Sequence, residues 1–196
     1  MSVHACLTGF GSYLPKRIVT NAELPSHLDT SDEWIRARTG ISQRHIADES
    51  ETATMMAAEA GRQALEYAGL SASDVDAIFV ATATPDQAFP AVAVRVQAEL
   101  GMTDGFGFDI SAACSGFVYA LATADSFIRS GQIKRALVIG TEVYSRIVDW
   151  NDRSTCVLFG DGAGAVLLEA TEEAGKGILS THLHSDGSLG DLLYVE

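Results

Sequence analysis

Residues 108–131 read FDISAACSGFVYALATADSFIRSG, and their reading decides the architecture. The run Gly105–Ile110 has the apolar character of a strand, Ser111, Ala112 and Ala113 turn the chain, and a helix is expected to begin at Cys114 and stop at Gly131. Along that helix Phe117, Ala120, Leu121, Ala124, Phe127 and Ile128 follow the helical period. The opposite side carries Ser115, Tyr119, Ala122, Thr123 and Ser126, and only Asp125 and Arg129 are charged. A helix so poor in charge is expected to be buried almost all round. Burial of that kind needs layers on both sides, hence a large α/β architecture.

Outward from this stretch, apolar runs alternate with amphipathic ones. Strands are expected at His4–Phe10, Ala77–Ala83, Gly105–Ile110, Ala136–Thr141, Gly164–Glu169 and Ile178–His184, several of them apolar enough to be covered on both faces. Ser31 before Asp32 and Glu33 opens a short helix that Gly40 closes. A longer helix is expected from about Thr52 to Ala68 with Gly69 as its stop, and another over Ala91–Leu100 after Pro90.

The 196 residues suffice for one domain with a core, and 47% of them are hydrophobic. Acids outnumber bases 26 to 13, a net charge of −13, which argues against nucleic acid and against anionic membrane as partners. No apolar run has the length of a membrane span, and the start MSVHACLTGFGSYLP lacks the pattern of a secretory signal. The three cysteines, Cys6, Cys114 and Cys156, cannot all pair within the chain and match no zinc spacing, so a reducing cytoplasm is the expected setting.

Cys114 is the first candidate for chemistry. A turn from strand end to helix start sets a side chain at the carboxyl edge of a sheet, where α/β sites form. The helix start favours the thiolate, and small neighbours leave room for an acyl group. A packing cysteine is the alternative. Trp34 and Arg38 lie four apart on one helix face, suited either to an aromatic ring and phosphate or to a surface indole packed under an arginine stem. Phe89 could fold back into its own core. Gly160-Asp161-Gly162-Ala163-Gly164-Ala165 satisfies a dinucleotide fingerprint, but a strand rather than a helix should follow it, so a tight turn into a strand is the better reading. His182 and His184 share one side of a stretch without further metal ligands. Asp149, Asp152 and Asp161 read as turn and capping residues.

FDISAACSGF resembles the nucleophile segment of the β-ketoacyl-acyl carrier protein synthase III family, the initiating condensing enzymes of type II fatty acid synthesis. Thr30-Ser31-Asp32-Glu33-Trp34-Ile35, Arg38-Thr39-Gly40-Ile41, Arg44-His45, Ala88-Phe89-Pro90, Phe159–Ala165 and Ser180–His184 match the same family. The resemblance runs from about residue 8 to the end. It implies a thiolase-like α/β fold, with residues 1–196 as its N-terminal half: a mixed sheet covered by helices, with a buried central helix starting at the nucleophile.

The resemblance also implies roles. Cys114 takes the acyl group from a primer acyl-CoA of the acetyl-CoA type, with its own N–H as an oxyanion donor. Trp34 and Arg153 sandwich the CoA adenine, and Thr30 and Arg38 contact the same nucleotide end. Phe89 shapes a partner's acyl pocket across a homodimer interface, and Phe159 borders the tunnel to the thiol. Acyl-CoA is a substrate, and no cofactor or metal is implied. Malonyl-acyl carrier protein is the second substrate. The family's catalytic histidine and asparagine belong to a second half, so the 196-residue chain alone is expected not to complete the condensation. The rivals are a thiolase-fold synthase of secondary metabolism or hydrocarbon formation, a non-catalytic acyl-CoA-binding or dimerisation module, and a cysteine hydrolase. The last needs a histidine base that the chain does not display near Cys114.

Overall fold

In a computed structural model that describes residues 3–195, the elements run β1 (His4–Tyr13), β2 (Arg17–Thr20), α1 (Asp32–Thr39), β3 (Gln43–Ile46), α2 (Ala53–Ala68), β4 (Ala77–Ala81), α3 (Val92–Leu100), β5 (Phe106–Ile110), α4 (Gly116–Arg129), β6 (Arg135–Val143), α5 (Arg153–Cys156) and β7 (Asp161–Thr171). Five strands form one mixed sheet in the order β1-β7-β6-β4-β5. β4 runs parallel to β5 and β6, whereas β7 is antiparallel to β1 and β6. β2 and β3 form a separate antiparallel pair.

The two-residue alternation of the central strands divides the core. Ile78, Val80, Leu137, Ile139 and Leu167 face α2 and α3, where Met56, Ala60, Ala64, Val92 and Val96 meet them. Ala77, Phe79, Ala136, Val138 and Leu168 face α4, against Ala120, Ala124 and Ile128. Phe79 is fully buried, with the Phe108 ring edge-on at 5.0 Å and Phe127 tilted at 5.6 Å. Such aromatic pairs add about 0.5–1.5 kcal/mol each beyond the area they bury. Helices on both faces explain why β4 is buried along its whole length.

The caps stand where expected. Ser31 accepts from the Trp34 N–H at 3.1 Å, Thr52 accepts from the Met55 N–H at 3.1 Å, and Gly40 and Gly69 close their helices in the left-handed conformation. Three expectations change. α4 begins at Gly116, with Cys114 in the 3₁₀ turn Ala113–Ser115 before it, and one face stays open, Val118 being 50% exposed. Its low charge reflects small residues seated on the sheet, not cover on every side.

Residues 178–184 form no strand. Ile178 donates to the Ala5 carbonyl at 2.8 Å, but Leu179 is 65% exposed, and alternating apolar residues without a paired edge make no ladder. β2 and β3 escape prediction because each has four residues, too few and too charged for a period to register.

Candidate active site

β5 delivers the chain to its carboxyl edge, and the turn before α4 presents Cys114 there as an exposed, unpaired thiol. Ala113, the residue before it, has φ +44°, and among the described residues it alone combines a positive φ with a side chain. Backbone held there costs about 1–3 kcal/mol and is tolerated by a small residue. Gly116, the residue two beyond Cys114, has a different reason to be small: a Cβ there would lie 3.2 Å from the Ala81 Cβ. That glycine lets α4 approach β4 closely. Part of the small-residue ring is therefore packing, and only part is clearance around the thiol. Asp109, in β5, accepts from the Val92 and Ala93 N–H groups at 2.7 and 2.8 Å, which caps α3 and fixes the end of the loop carrying Phe89.

Two cavities meet at Cys114. The smaller, about 370 Å³, is walled by Leu14, Phe117, Thr141, Glu142 and the Gly162–Gly164 backbone. The larger, about 550 Å³, is walled by Ile147, Val148, Asp152, Thr155, Phe159 and the segment Leu193–Val195. Ala113, Cys114 and Tyr144 border both. Tyr144 stacks on Phe159 with centroids 4.9 Å apart. Burial, then the negative charges of Glu142 and Cys114, pushes the Tyr144 phenol up, so it stays protonated at neutral pH. Burial also pushes the Glu142 carboxyl up, against the pull of bonds from the Thr84 hydroxyl at 2.5 Å and the Ala83 N–H at 2.8 Å. Tyr144 and Glu142 escaped the sequence reading. The signal was available, because they sit at the carboxyl end of β6 just as Cys114 follows β5.

A separate cleft of about 550 Å³ lies between α1 and α5, lined by Trp34, Arg38, Thr39, Asp152, Arg153 and Ser154 among others. The Trp34 ring has the Arg38 guanidinium 4.4 Å from its centroid and the Arg153 guanidinium at 4.2 Å. The alternative of an indole under a lone arginine stem thus gives way to a ring between two cations. Arg153 rests directly on the indole, and a flat ring between them requires the guanidinium to withdraw by roughly one stacking thickness, ~3.5 Å. The Thr30 hydroxyl and the Arg153 Nε are buried without partners in the structure. Asp152 borders both this cleft and the larger cavity at Cys114, so α5 is a shared wall.

Residues 108–187 match the family model described as 3-Oxoacyl-[acyl-carrier-protein (ACP)] synthase III. The β-ketoacyl-[acyl-carrier-protein] synthase III of Acidiphilium cryptum is 66% identical over 191 residues, 97% of this chain and 60% of that protein. That of Paramagnetospirillum magneticum is 62% identical over the whole chain and 62% of its own length. The crystal structure of the Aquifex aeolicus synthase III superposes with a TM-score of 0.91 at 52% identity, covering 98% of this chain and 64% of that one. Along nearly its whole length the chain is similar to β-ketoacyl-acyl carrier protein synthases III. It spans about three fifths of the length of the curated relatives it matches, and its fold is thiolase-like.

The remaining candidates sort clearly. Phe89 is 84% exposed, so it does not fold back into its own core. Asp161–Ala165 already lie within β7, which pairs with β1 and β6, so the run is strand from Asp161 onward and no helix follows it to make a dinucleotide site. His45 is bonded to the Pro15 carbonyl at 2.5 Å, and His182 and His184 are exposed. Among the described residues no cluster of three metal-ligating groups occurs, and no helix is long and apolar enough to cross a membrane. Asp149 and Asp152 accept from nearby N–H groups in turns, and Asp161 accepts from the Ala47 and Ser145 N–H groups, as expected of turn and capping residues.

Proposed function

We propose that this chain supplies the acyl-accepting part of a β-ketoacyl-acyl carrier protein synthase III. The observation that carries the proposal is the shared wall: α5 borders an arginine-flanked indole on one side and the cavity holding Cys114 on the other. A CoA thioester suits that layout, with its nucleotide at Trp34, Arg38, Arg153 and Thr30 and its thioester at Cys114. The Cys114 thiolate attacks the thioester carbonyl, a new S–C bond forms, the C–S bond to CoA breaks, and CoA leaves to take up a proton. Phe159 and Tyr144 wall the space the acyl group enters, and the Cys114 N–H serves as one oxyanion donor.

In the second half-reaction malonyl-acyl carrier protein loses CO₂. The carbon so exposed attacks the acyl-enzyme, and a β-ketoacyl carrier protein two carbons longer departs. Among the described residues neither cavity at Cys114 is lined by a histidine or asparagine. We assign the groups that promote decarboxylation to the part of the relatives' length that this chain does not span, with residues 1–196 as the first thiolase-like half. The exposed Phe89 suits a role across a homodimer interface, and three unpaired cysteines suit the cytoplasm. High identity to named synthases supports this reading over a non-catalytic module.

The test is mass spectrometry of the full-length protein after incubation with acetyl-CoA. One acetyl group on the peptide containing Cys114, absent when acetyl-CoA is omitted, is the expected result. A folded protein whose Cys114 stays unmodified would overturn the proposal.

A further inference from the structure

Arg44 is 5% exposed, yet among the described residues no carboxylate pairs with it. Burying a guanidinium without an anion is costly unless neutral acceptors surround it. They do here. Its Nη1 donates to the Val19 carbonyl at 3.3 Å, and its Nη2 donates to the Asn21 Oδ1 at 2.7 Å and to the Val157 carbonyl at 3.2 Å. Burial pulls the group down from its ordinary value, against an opposing electrostatic influence of Cys156.

The partners of Arg44 lead to both sides of the Trp34 cleft. Asn21, also 5% exposed, donates through Nδ2 to the Asp32 carboxylate and to the Ile41 carbonyl, both at 2.8 Å. Asp32 is the first residue of α1, which carries Trp34 and Arg38, and Ile41 follows its end. Val157 is the residue that ends α5, whose first residue is Arg153. The segment beyond it is pinned as well, because a Cβ on Gly160 would come within 3.0 Å of the Arg44 Cβ. One guanidinium therefore connects the two walls, α1 through Asn21 and α5 through Val157. Its planar fork reaches three acceptors at once, and a lysine ammonium on a flexible stem does not reproduce that geometry.

We propose that Arg44 is a positioning residue for the nucleotide end of the acyl donor: acting through Asn21 and Val157, it sets the spacing between Trp34 and Arg153. The proposal rests on reading the Trp34 cleft as the nucleotide seat. It distinguishes Arg44 from a residue that merely stabilises the fold, because its removal should harm donors that carry the nucleotide and spare donors that lack it.

The experiment measures Cys114 acylation in the full-length protein with two donors, acetyl-CoA and acetyl-pantetheine, the second being the same thioester without the nucleotide. In Arg44→Lys, kcat/KM with acetyl-CoA should fall about tenfold, mainly through KM, with acetyl-pantetheine unchanged within about twofold. Asn21→Ala, which keeps the charge and breaks the link to α1, should show the same split and serves if Arg44→Lys does not fold. Equal losses with both donors, or no loss with either, overturn the proposal. Trp34→Ala is the control for the underlying reading. If it fails to discriminate between the donors, the nucleotide seat itself is wrong; if it discriminates and the Arg44 and Asn21 variants do not, only the positioning role falls.

Discussion

Near each of the two clefts stands a charge without a counterion among the described residues, solved in opposite ways. Beside Cys114, the half-buried Glu142 carboxylate is held by donors: the Ala83 N–H and the Thr82 and Thr84 hydroxyls. Beneath the Trp34 cleft, Arg44 is held by three acceptors on two separate segments. The difference lies in reach. Two of the three donors to Glu142 belong to the Thr82–Thr84 turn just after β4 and the third lies within that turn, so the carboxylate braces one loop at a strand edge. The acceptors of Arg44 come from β2, the turn after it and the end of α5; β2 is already laddered to Arg44's own β3, so it is the bond to Val157 that reaches a piece no sheet ladder joins. The thiol site inherits its precision from the central sheet, whereas the indole site depends on side-chain bonds.

That contrast can be broken in graded steps. Cys114→Ala should remove acylation by about 10³-fold or more while CoA affinity, measured by calorimetry, stays within about twofold. A parallel loss of CoA affinity would mean that the two clefts are not independent. Ala113→Val sets a β-branched residue at φ +44°. It should lower unfolding stability by ~1–3 kcal/mol in denaturant titration and slow iodoacetamide labelling of Cys114, while Ala113→Gly should be neutral or stabilising. An Ala113→Val protein of unchanged stability would show the turn to be relaxed. Trp34→Ala should weaken CoA binding by about tenfold and leave the rate of Cys114 alkylation unaltered.

The smallest effect concerns pH. Burial raises the folded-state value of Glu142 above its ordinary carboxyl value. The folded state then holds the extra proton, so the associated stability is present at low pH and is lost as pH rises through the folded value. Glu142→Gln should flatten that decline above about pH 4.3, the ordinary glutamate value. An identical pH profile in the variant would remove Glu142 as its source.

How much of this was legible follows from how local each determinant is. The start and stop of α1 are written in Ser31, Asp32, Glu33 and Gly40, and the structure places them there, because a cap bonds within three residues. The turn at Cys114 was visible for the same reason. The strain at Ala113 was not, since its φ is imposed by β5 and α4 on either side. Arg44 stands out in the sequence only through the Arg44-His45 match, and its burial depends on Val157, far along the chain. Residues 178–184 show the converse: they have a strand's pattern, and no strand edge pairs with them along their length.

The contact between Arg153 and Trp34 has a consequence for rates. On the proposed reading of this cleft, the seat is filled by its own side chains, so an arriving purine would compete with a cation–π contact already made. Association then includes an opening step, and the observed rate should level off at high ligand concentration instead of climbing without limit. The indole also changes neighbours when the guanidinium withdraws, which makes Trp34 a built-in fluorophore for timing that step. Its signal must be separated from that of Trp150, which packs in the same small core.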